Sequence, residues 1–195
     1  MSEHEALIRR VLDGNYLPLV VVHLTIDEEP GTSATAKVKV KEGDATVDVE
    51  GTGVGVVDAI YNGLLARYGR EYQSLKTIQI VGFHVTADMG SKKRQDGVDA
   101  VGKVTLDVTN SEGRHFAFTD ASRSVSTSSA RAVLACVEYF VNAERAFLTL
   151  YNARRDAASR GREDLVARYT AELAEVVEAT SYAEVIANLR KELGT

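Results

Sequence analysis

Apolar and polar residues alternate along three short stretches near the start of the chain. The stretches are LVVVHLTI at 19–26, AKVKVK at 36–41 and ATVDVE at 45–50. Alternation with a period of two residues is typical of a strand that buries one face, because successive side chains point to opposite faces. The turn-forming pairs Pro30-Gly31 and Gly43-Asp44 separate the stretches. The pattern therefore predicts three antiparallel strands.

A pattern with helical spacing follows the third predicted strand. It begins after the glycines of GTGVG at 51–55 and ends at Gly69. Its apolar positions are Val57, Ile60, Leu64, Leu65 and Tyr68. A helix with one apolar stripe must bury that stripe against another element. The first part of the chain thus predicts three strands and a helix that packs on their sheet.

The same order of elements recurs in the second half. We predict strands over Leu75–Thr86, Lys103–Thr109 and His115–Thr119, a polar loop over 88–99, and a helix from about Ser128 to beyond Tyr151. The segment AKVKVKEGD at 36–44 resembles GKVTLDVTNSEG at 102–113, which indicates an internal duplication. The predicted fold class is α+β: a duplicated βββα domain with antiparallel sheets and helices packed on one face.

Changes of pattern divide the chain into three regions. These are a short N-terminal helix in residues 1–15, the duplicated domain in 16–150 with repeats at about 16–70 and 75–150, and a helical extension in 151–195. The extension contains two predicted amphipathic helices, at 164–180 and 182–193. Their apolar faces need a partner, which is either this domain or a second subunit.

Composition narrows the classes of protein and partner. The 195 residues are 45% hydrophobic and 26% charged, the balance of a globular domain that buries a core. The net charge of -5 argues against nucleic acid as a partner, because nucleic-acid binders carry a basic footprint. No stretch has the apolar character of a signal peptide or membrane span, so we expect a cytoplasmic protein without a membrane partner.

Cys136 lies in an apolar run and is expected to be a buried thiol. Metal-ligand spacing is absent from the four isolated histidines, His4, His23, His84 and His115.

Two loops that precede the long helices carry the candidate chemistry. GTGVGVVDA at 51–59 lies between a strand and a helix, where free backbone N–H groups and the helix dipole can hold a carboxylate. The same glycines also suit a tight turn, and Asp58 suits either helix capping or ligand binding. The counterpart DASRSVSTSSAR at 120–131 is rich in hydroxyls, which can cap the following helix or bind a polar group. No Ser-His-Asp arrangement can be located, so no catalytic residue is assigned.

Four segments resemble a known family: GTGVGVVDAI at 51–60, VGFHVTAD at 81–88, VDAVGKVTLDV at 98–108 and STSSARAVLACVEYFVNA at 126–143. Through them, residues 16–147 are similar to the C-terminal regulatory domain of 2-isopropylmalate synthase, a LeuA-type domain that citramalate synthases share. The resemblance implies a βββα duplication that dimerises and binds leucine or isoleucine between subunits. In that family the bound amino acid inhibits a separate catalytic barrel.

The resemblance also implies which residues bind the effector. By their position in the two loops they are Gly51, Gly53, Gly55, Val57, Asp58 and Ala59 in the first half, and Ser122, Ser124, Ser126 and Ser129 in the second. No metal ligand and no cofactor are expected.

The expected function is that of a stand-alone, homodimeric regulatory domain. A catalytic barrel of about 250 residues cannot fit into 195 residues, so synthase activity of this chain is not expected. We expect the effector to be a small branched-chain amino acid or a related acid, bound at a dimer or repeat interface and linked to leucine or isoleucine biosynthesis. The alternative is a ligand-independent dimerisation or interaction module that acts in trans on a synthase catalytic subunit.

Overall fold

Two three-stranded antiparallel sheets carry the two halves of the chain. The computed structural model describes residues 2–87 and 101–181. The strand orders are β1-β2-β3 and β4-β5-β6. The strands are β1 Leu19–Glu29, β2 Ser33–Glu42, β3 Ala45–Gly53, β4 Gln79–Ala87, β5 Gly102–Thr109 and β6 His115–Ser122. The loop predicted over 88–99 and the helix predicted over 182–193 lie outside the described residues.

Four α-helices complete the described part of the chain. They are α1 Glu3–Leu12, α2 Val56–Tyr68, α3 Val125–Ser159 and α4 Glu163–Ala179. Helix α2 packs on the first sheet, and α3 packs on the second sheet and on α2. The predicted α+β class, a duplicated βββα domain, is confirmed. Within these ranges, every helix falls short of the apolar length needed to cross a membrane.

A matching irregularity in both sheets reflects the duplication. The pairing of β1 with β2 shifts register between Val21 and His23, and the pairing of β4 with β5 shifts between Ile80 and Gly82. In each sheet the shift lies near the beginning of the first strand. A bulge of this kind bends the strand and increases its twist. Both sheets therefore curve at the same place over their helices.

The inward faces of both sheets share one hydrophobic core with α2 and α3. The β2 residues Val38 and Val40 and the β5 residue Leu106 are buried, as the alternation predicts. They pack with Ile60 of α2 and Phe140 of α3, which are also buried. Burying a large apolar side chain contributes about 1.5–3 kcal/mol, so this shared core is the main force that joins the two repeats.

Two acidic side chains of α3 hold the segments that lead into the sheets. Glu138 accepts a hydrogen bond from the backbone N–H of Leu19, the first residue of β1, at 2.8 Å. Glu144 is buried and accepts one from the backbone N–H of Ser74 at 2.8 Å. Ser74 belongs to a short 3₁₀ helix, Gln73–Lys76, that precedes β4. Helix α3 therefore fixes where each sheet begins.

Among the element boundaries that differ from the predictions, two are explained by a polar contact. Strand β4 begins at Gln79 and not at Leu75, because the preceding residues form the 3₁₀ helix that Glu144 holds. Helix α3 begins at Val125 and not at about Ser128, because an earlier serine serves as its N-cap. In both cases a polar contact shifts the boundary away from the one that the apolar pattern suggests.

A second core is formed by α1, the rear half of α3, and α4. Its buried apolar residues are Leu7, Ile8, Leu12, Ala143, Ala146, Phe147, Leu150, Leu173, Val176 and Ala179. The helix predicted over 164–180 is therefore α4, and it packs within the same chain. The position 150 that divides the predicted regions lies inside α3, which continues to Ser159.

The end of α4 is fastened to the second repeat by hydrogen bonds. The Asn110 side-chain amide donates to the carbonyl of Thr180 at 2.8 Å, and the backbone N–H of Ser111 donates to the Ser181 hydroxyl at 2.9 Å. The Thr77 hydroxyl donates to the Ser181 hydroxyl at 2.8 Å. Thr180 and Ser181 are both buried. The extension is thus part of the packed structure as far as residue 181.

Truncation of a single α4 side chain tests whether the extension stabilises the domain. Leu173 is 2% exposed and Leu148 on α3 is 39% exposed, so they form a matched pair of leucines. We expect Leu173→Ala to lower the free energy of unfolding by about 2–5 kcal/mol, since it leaves a cavity in the second core. Urea unfolding followed by circular dichroism measures this change. Leu148→Ala should cost less than about 1 kcal/mol, and equal losses in the two variants would contradict the described packing of α4.

Candidate functional site

The two loops predicted to bind an effector form equivalent junctions between an edge strand and a helix. The first junction joins β3 to α2, whose N-cap residue is Gly55. The second joins β6 to α3, whose N-cap residue is Ser124. Counting back equally from the two N-caps makes Gly51 equivalent to Asp120, and Gly53 equivalent to Ser122. The duplication thus places glycines in one junction where the other carries polar side chains.

The glycines of the first junction let β3 and α2 touch through their backbones. A Cβ at Gly51 would lie 2.3 Å from the carbonyl oxygen of Ala59 and 2.3 Å from the backbone nitrogen of Gly63. Contacts this short do not occur, so only glycine fits at this position of β3. The predicted effector residues Gly51 and Ala59 therefore serve the packing of α2 on its sheet, and Ala59 is buried.

Asp58 folds back over the first junction from the first turn of α2. Its carboxylate accepts a hydrogen bond from the backbone N–H of Val54 at 3.0 Å. A Cβ at Gly53 would lie 2.5 Å from the same carboxylate oxygen, so the glycine makes room for it. Gly55 faces open space, and Val57 is half-buried. Of the six predicted residues, Gly55 and Val57 remain the most accessible to a ligand.

The hydroxyls of the second junction bind mainly to one another. The hydroxyl oxygens of Ser122 and Ser128 are 2.8 Å apart, and the Ser122 hydroxyl also contacts the Ser124 carbonyl at 2.9 Å. Ser124 caps α3 by accepting a hydrogen bond from the backbone N–H of Thr127 at 3.2 Å. These contacts order the loop before the helix begins.

The remaining two predicted serines differ in their access to solvent. Ser126 is exposed on the first turn of α3. Ser129 is buried, and its hydroxyl donates to the carbonyl of Val125 at 2.8 Å. Ser126 and Ser124 are therefore the residues of the second junction that an effector can reach without a change of structure.

Asp120 is a candidate that the sequence reasoning missed. It lies on the inward face of β6, in line with Phe116 and Phe118. One carboxylate oxygen is buried and has no hydrogen-bond partner among the described residues, although it forms a long ion pair with Arg131 Nη1 at 3.9 Å. A carboxylate in such a position attracts a cationic or hydrogen-bonding group. The sequence does contain a hint of this site, because Asp120 is an acidic residue in register with the inward-facing residues of β6.

An apolar strip lies on the same face of the second sheet as Asp120, mostly on the opposite edge strand, β4. It consists of Phe83 and Val85 of β4, which pair with buried residues of β5 yet are 38% and 47% exposed. Val125, at the start of α3, is 42% exposed. We call these three residues the β4 strip. Helix α3 packs on β5 and β6 and leaves the β4 side of this face open.

Other reactive groups in the described ranges show no sign of catalytic use. Cys136 is fully buried, and burial raises the pKa of its thiol far above the usual value, so the thiolate is not formed. The prediction of a buried thiol is confirmed. Across residues 2–87 and 101–181, no cluster of three or more His, Cys, Asp or Glu residues is arranged to hold a metal ion.

A family model described as the LeuA allosteric (dimerisation) domain matches residues 2–141. The matched region contains both sheets, both junctions and the first half of α3. No curated protein matches the chain. The resemblance found in the sequence is thereby confirmed for the duplicated part.

Serine substitution at two glycines of the first junction separates packing from ligand access. We expect Gly51→Ser to destabilise the domain by at least about 1–3 kcal/mol, because the new Cβ overlaps the backbone of α2. Gly55→Ser should change stability by less than about 0.5 kcal/mol, because serine is a favoured N-cap and already caps α3 at the equivalent position. Thermal and urea unfolding measure both effects. Similar stabilities for the two variants would show that β3 and α2 are not in backbone contact.

Proposed function

The chain belongs to the LeuA allosteric (dimerisation) domain family, and on this basis we propose that it is a homodimeric regulatory domain that binds a small branched-chain amino acid or related acid. The proposed site is the second junction together with the β4 strip, and the first junction contributes Gly55 and Val57. The proposed setting is the cytoplasm, in regulation linked to leucine or isoleucine biosynthesis.

The observation that carries the proposal is the grouping of three complementary features at the second junction. Asp120 supplies a negative charge that suits an α-ammonium group, and one of its oxygens is buried without a hydrogen-bond partner in the described structure, 3.9 Å from Arg131 Nη1. The start of α3 offers backbone N–H groups and the positive end of the helix dipole, which suit a carboxylate. The β4 strip offers exposed apolar surface, which suits a branched side chain.

The first junction supports a secondary contribution. Helix α2 has no side-chain hydrogen bond at its N-cap, so the N–H groups of its first turn are not capped by a side chain. Of the three glycines in the preceding loop, Gly51 packs against α2 and Gly53 makes room for Asp58, whereas Gly55 faces open space. We therefore propose that the second junction binds the amino group of the effector. The helix N-termini at both junctions can bind its carboxylate.

A second function is favoured by a different observation. The glycines of the first junction serve strand–helix packing, and the hydroxyls of the second junction bind one another. Many groups of both junctions thus already have partners in the absence of a ligand. This favours the alternative of a ligand-independent dimerisation or interaction module that acts in trans on a synthase catalytic subunit. A dimer whose stability is unaffected by any effector would distinguish this alternative.

Calorimetric titration tests effector binding. We expect leucine, isoleucine or valine to bind with a dissociation constant between about 1 µM and 1 mM. Asp120→Asn should weaken the binding of the amino acid by about tenfold or more, because a charge-assisted hydrogen bond is lost. The corresponding α-keto acids lack the ammonium group, so their affinity should change much less. The absence of heat with every ligand would reject effector binding and favour the interaction module.

We also propose that the β4 strip forms part of the dimer interface, because it is exposed apolar surface, and sedimentation equilibrium tests this. We expect Phe83→Asp to weaken the dimer by at least about tenfold, because a charge would be buried in an apolar contact. Ala121→Asp is the matched control, since Ala121 is exposed on the opposite face of the same sheet. Equal dissociation constants for Phe83→Asp and the control would place the interface elsewhere.

A further inference from the structure

A cleft separate from both junctions opens between the start of α1, the strand β6, the middle of α3 and the end of α4. Its volume is about 670 Å³. Cavities of about 300–1,000 Å³ are typical of sites for small molecules. Of the residues proposed above for effector binding, none lines this cleft. It is therefore a distinct candidate for ligand binding.

The cleft exists because β6 is an edge strand that α1 does not cover. Among the described strands, β6 pairs with β5 alone. Helix α1 packs on α3 and α4, where its apolar side chains join the second core, and its N-terminal turn faces β6 across a gap. Four consecutive residues of β6, 115–118, line the opposite wall.

The floor of the cleft is aromatic. The ring of Tyr139 lies 5.4 Å from the ring of Phe116 and 5.7 Å from that of Phe118, measured between centroids. All three rings line the cavity. Burial raises the pKa of the Tyr139 hydroxyl above its usual value, so this group stays protonated and able to donate a hydrogen bond. A flat apolar ligand can pack on these rings, and the Tyr139 hydroxyl can donate a hydrogen bond to it.

One guanidinium at the rim of the cleft, that of Arg114, can bind an anionic ligand. The two carboxylates that line the cleft already have arginine partners: Glu178 lies 2.9 Å from Arg114 Nη1, and Glu5 lies 3.2 Å from Arg9 Nη2. Arg114 carries four further N–H donors, and its side chain is 47% exposed. The imidazole of His115 lines the same wall. Arg114 thus keeps hydrogen-bond donors available for a ligand beside the aromatic floor.

We propose that this cleft binds a small carboxylic acid with an aromatic body. The ring of the ligand packs on Phe116, Phe118 and Tyr139. Its carboxylate binds the guanidinium of Arg114, with His115 as a second donor. Arg114 sits at the β5–β6 turn and also joins α4 through Glu178, so a bound acid contacts both repeat and extension.

Titration followed by ¹H–¹⁵N NMR tests the proposal, with phenylacetate as the probe. We expect saturable shifts, in the wild-type protein, of amides in residues 114–118 and around Tyr139. Acetate lacks the ring and benzylamine has the opposite charge, so both should bind at least about tenfold more weakly. No saturable shifts with phenylacetate, or equal affinity for benzylamine, would overturn the proposal.

Matched variants locate the carboxylate. Arg114→Gln should weaken phenylacetate binding by about tenfold or more, because a hydrogen bond to a charged group is lost. Arg160→Gln, an exposed arginine at the end of α3, serves as the control and should bind like the wild type. Tyr139→Phe keeps the ring and should cost about threefold to tenfold. Unchanged affinity in Arg114→Gln would reject the proposed pose, whatever the outcome of the leucine titration at the junctions.

Discussion

The positions of the two repeats relative to each other depend on the capture of backbone N–H groups by polar side chains on different faces of α3. Glu138 and Asn142 hold the residues before β1, and Glu144 holds the turn before β4. Buried N–H groups without partners are costly, so neither starting segment can move away from α3 without loss of stability. Helix α3 thereby sets the position of the first sheet as well as that of the second sheet, on which it packs. The hydrophobic core fills the space that these polar contacts define.

Within this frame, the duplication is preserved in topology and changed in chemistry. The bulges in β1 and β4 and the N-caps at Gly55 and Ser124 occupy corresponding positions. The contact between Gly51 and the backbone of α2 has no counterpart, because Asp120 stands at the equivalent place on β6. One junction is closed by backbone contact, whereas the other retains a carboxylate that lacks a hydrogen-bond partner in the described residues. If the protein distinguishes amino acids from keto acids, this selectivity would therefore arise mainly in the second repeat.

Local patterns allowed the strands and the fold class to be predicted, because alternation directly reports burial of one sheet face. The beginning of β4 was not predictable, since it depends on Glu144, which lies 70 residues away from Ser74. The glycines at 51–55 were recognised as significant, but the sequence could not tell a ligand cradle from close packing. Only the distance from Gly51 to α2 shows the packing role. Asp120 escaped notice because its lack of a hydrogen-bond partner is a property of three-dimensional surroundings and not of spacing.

The hydrogen bonds at the end of α4 have a consequence for the order in which the protein is completed during synthesis. Thr77 binds Ser181, which lies 104 residues later, and Asn110 binds Thr180, which lies 70 residues later. Both sheets are translated well before these partners emerge from the ribosome. The nascent chain therefore exposes the polar groups of Thr77 and Asn110, together with the apolar face of α1, until α4 arrives. Final closure of the domain is a late event, and contacts of such long sequence separation form slowly.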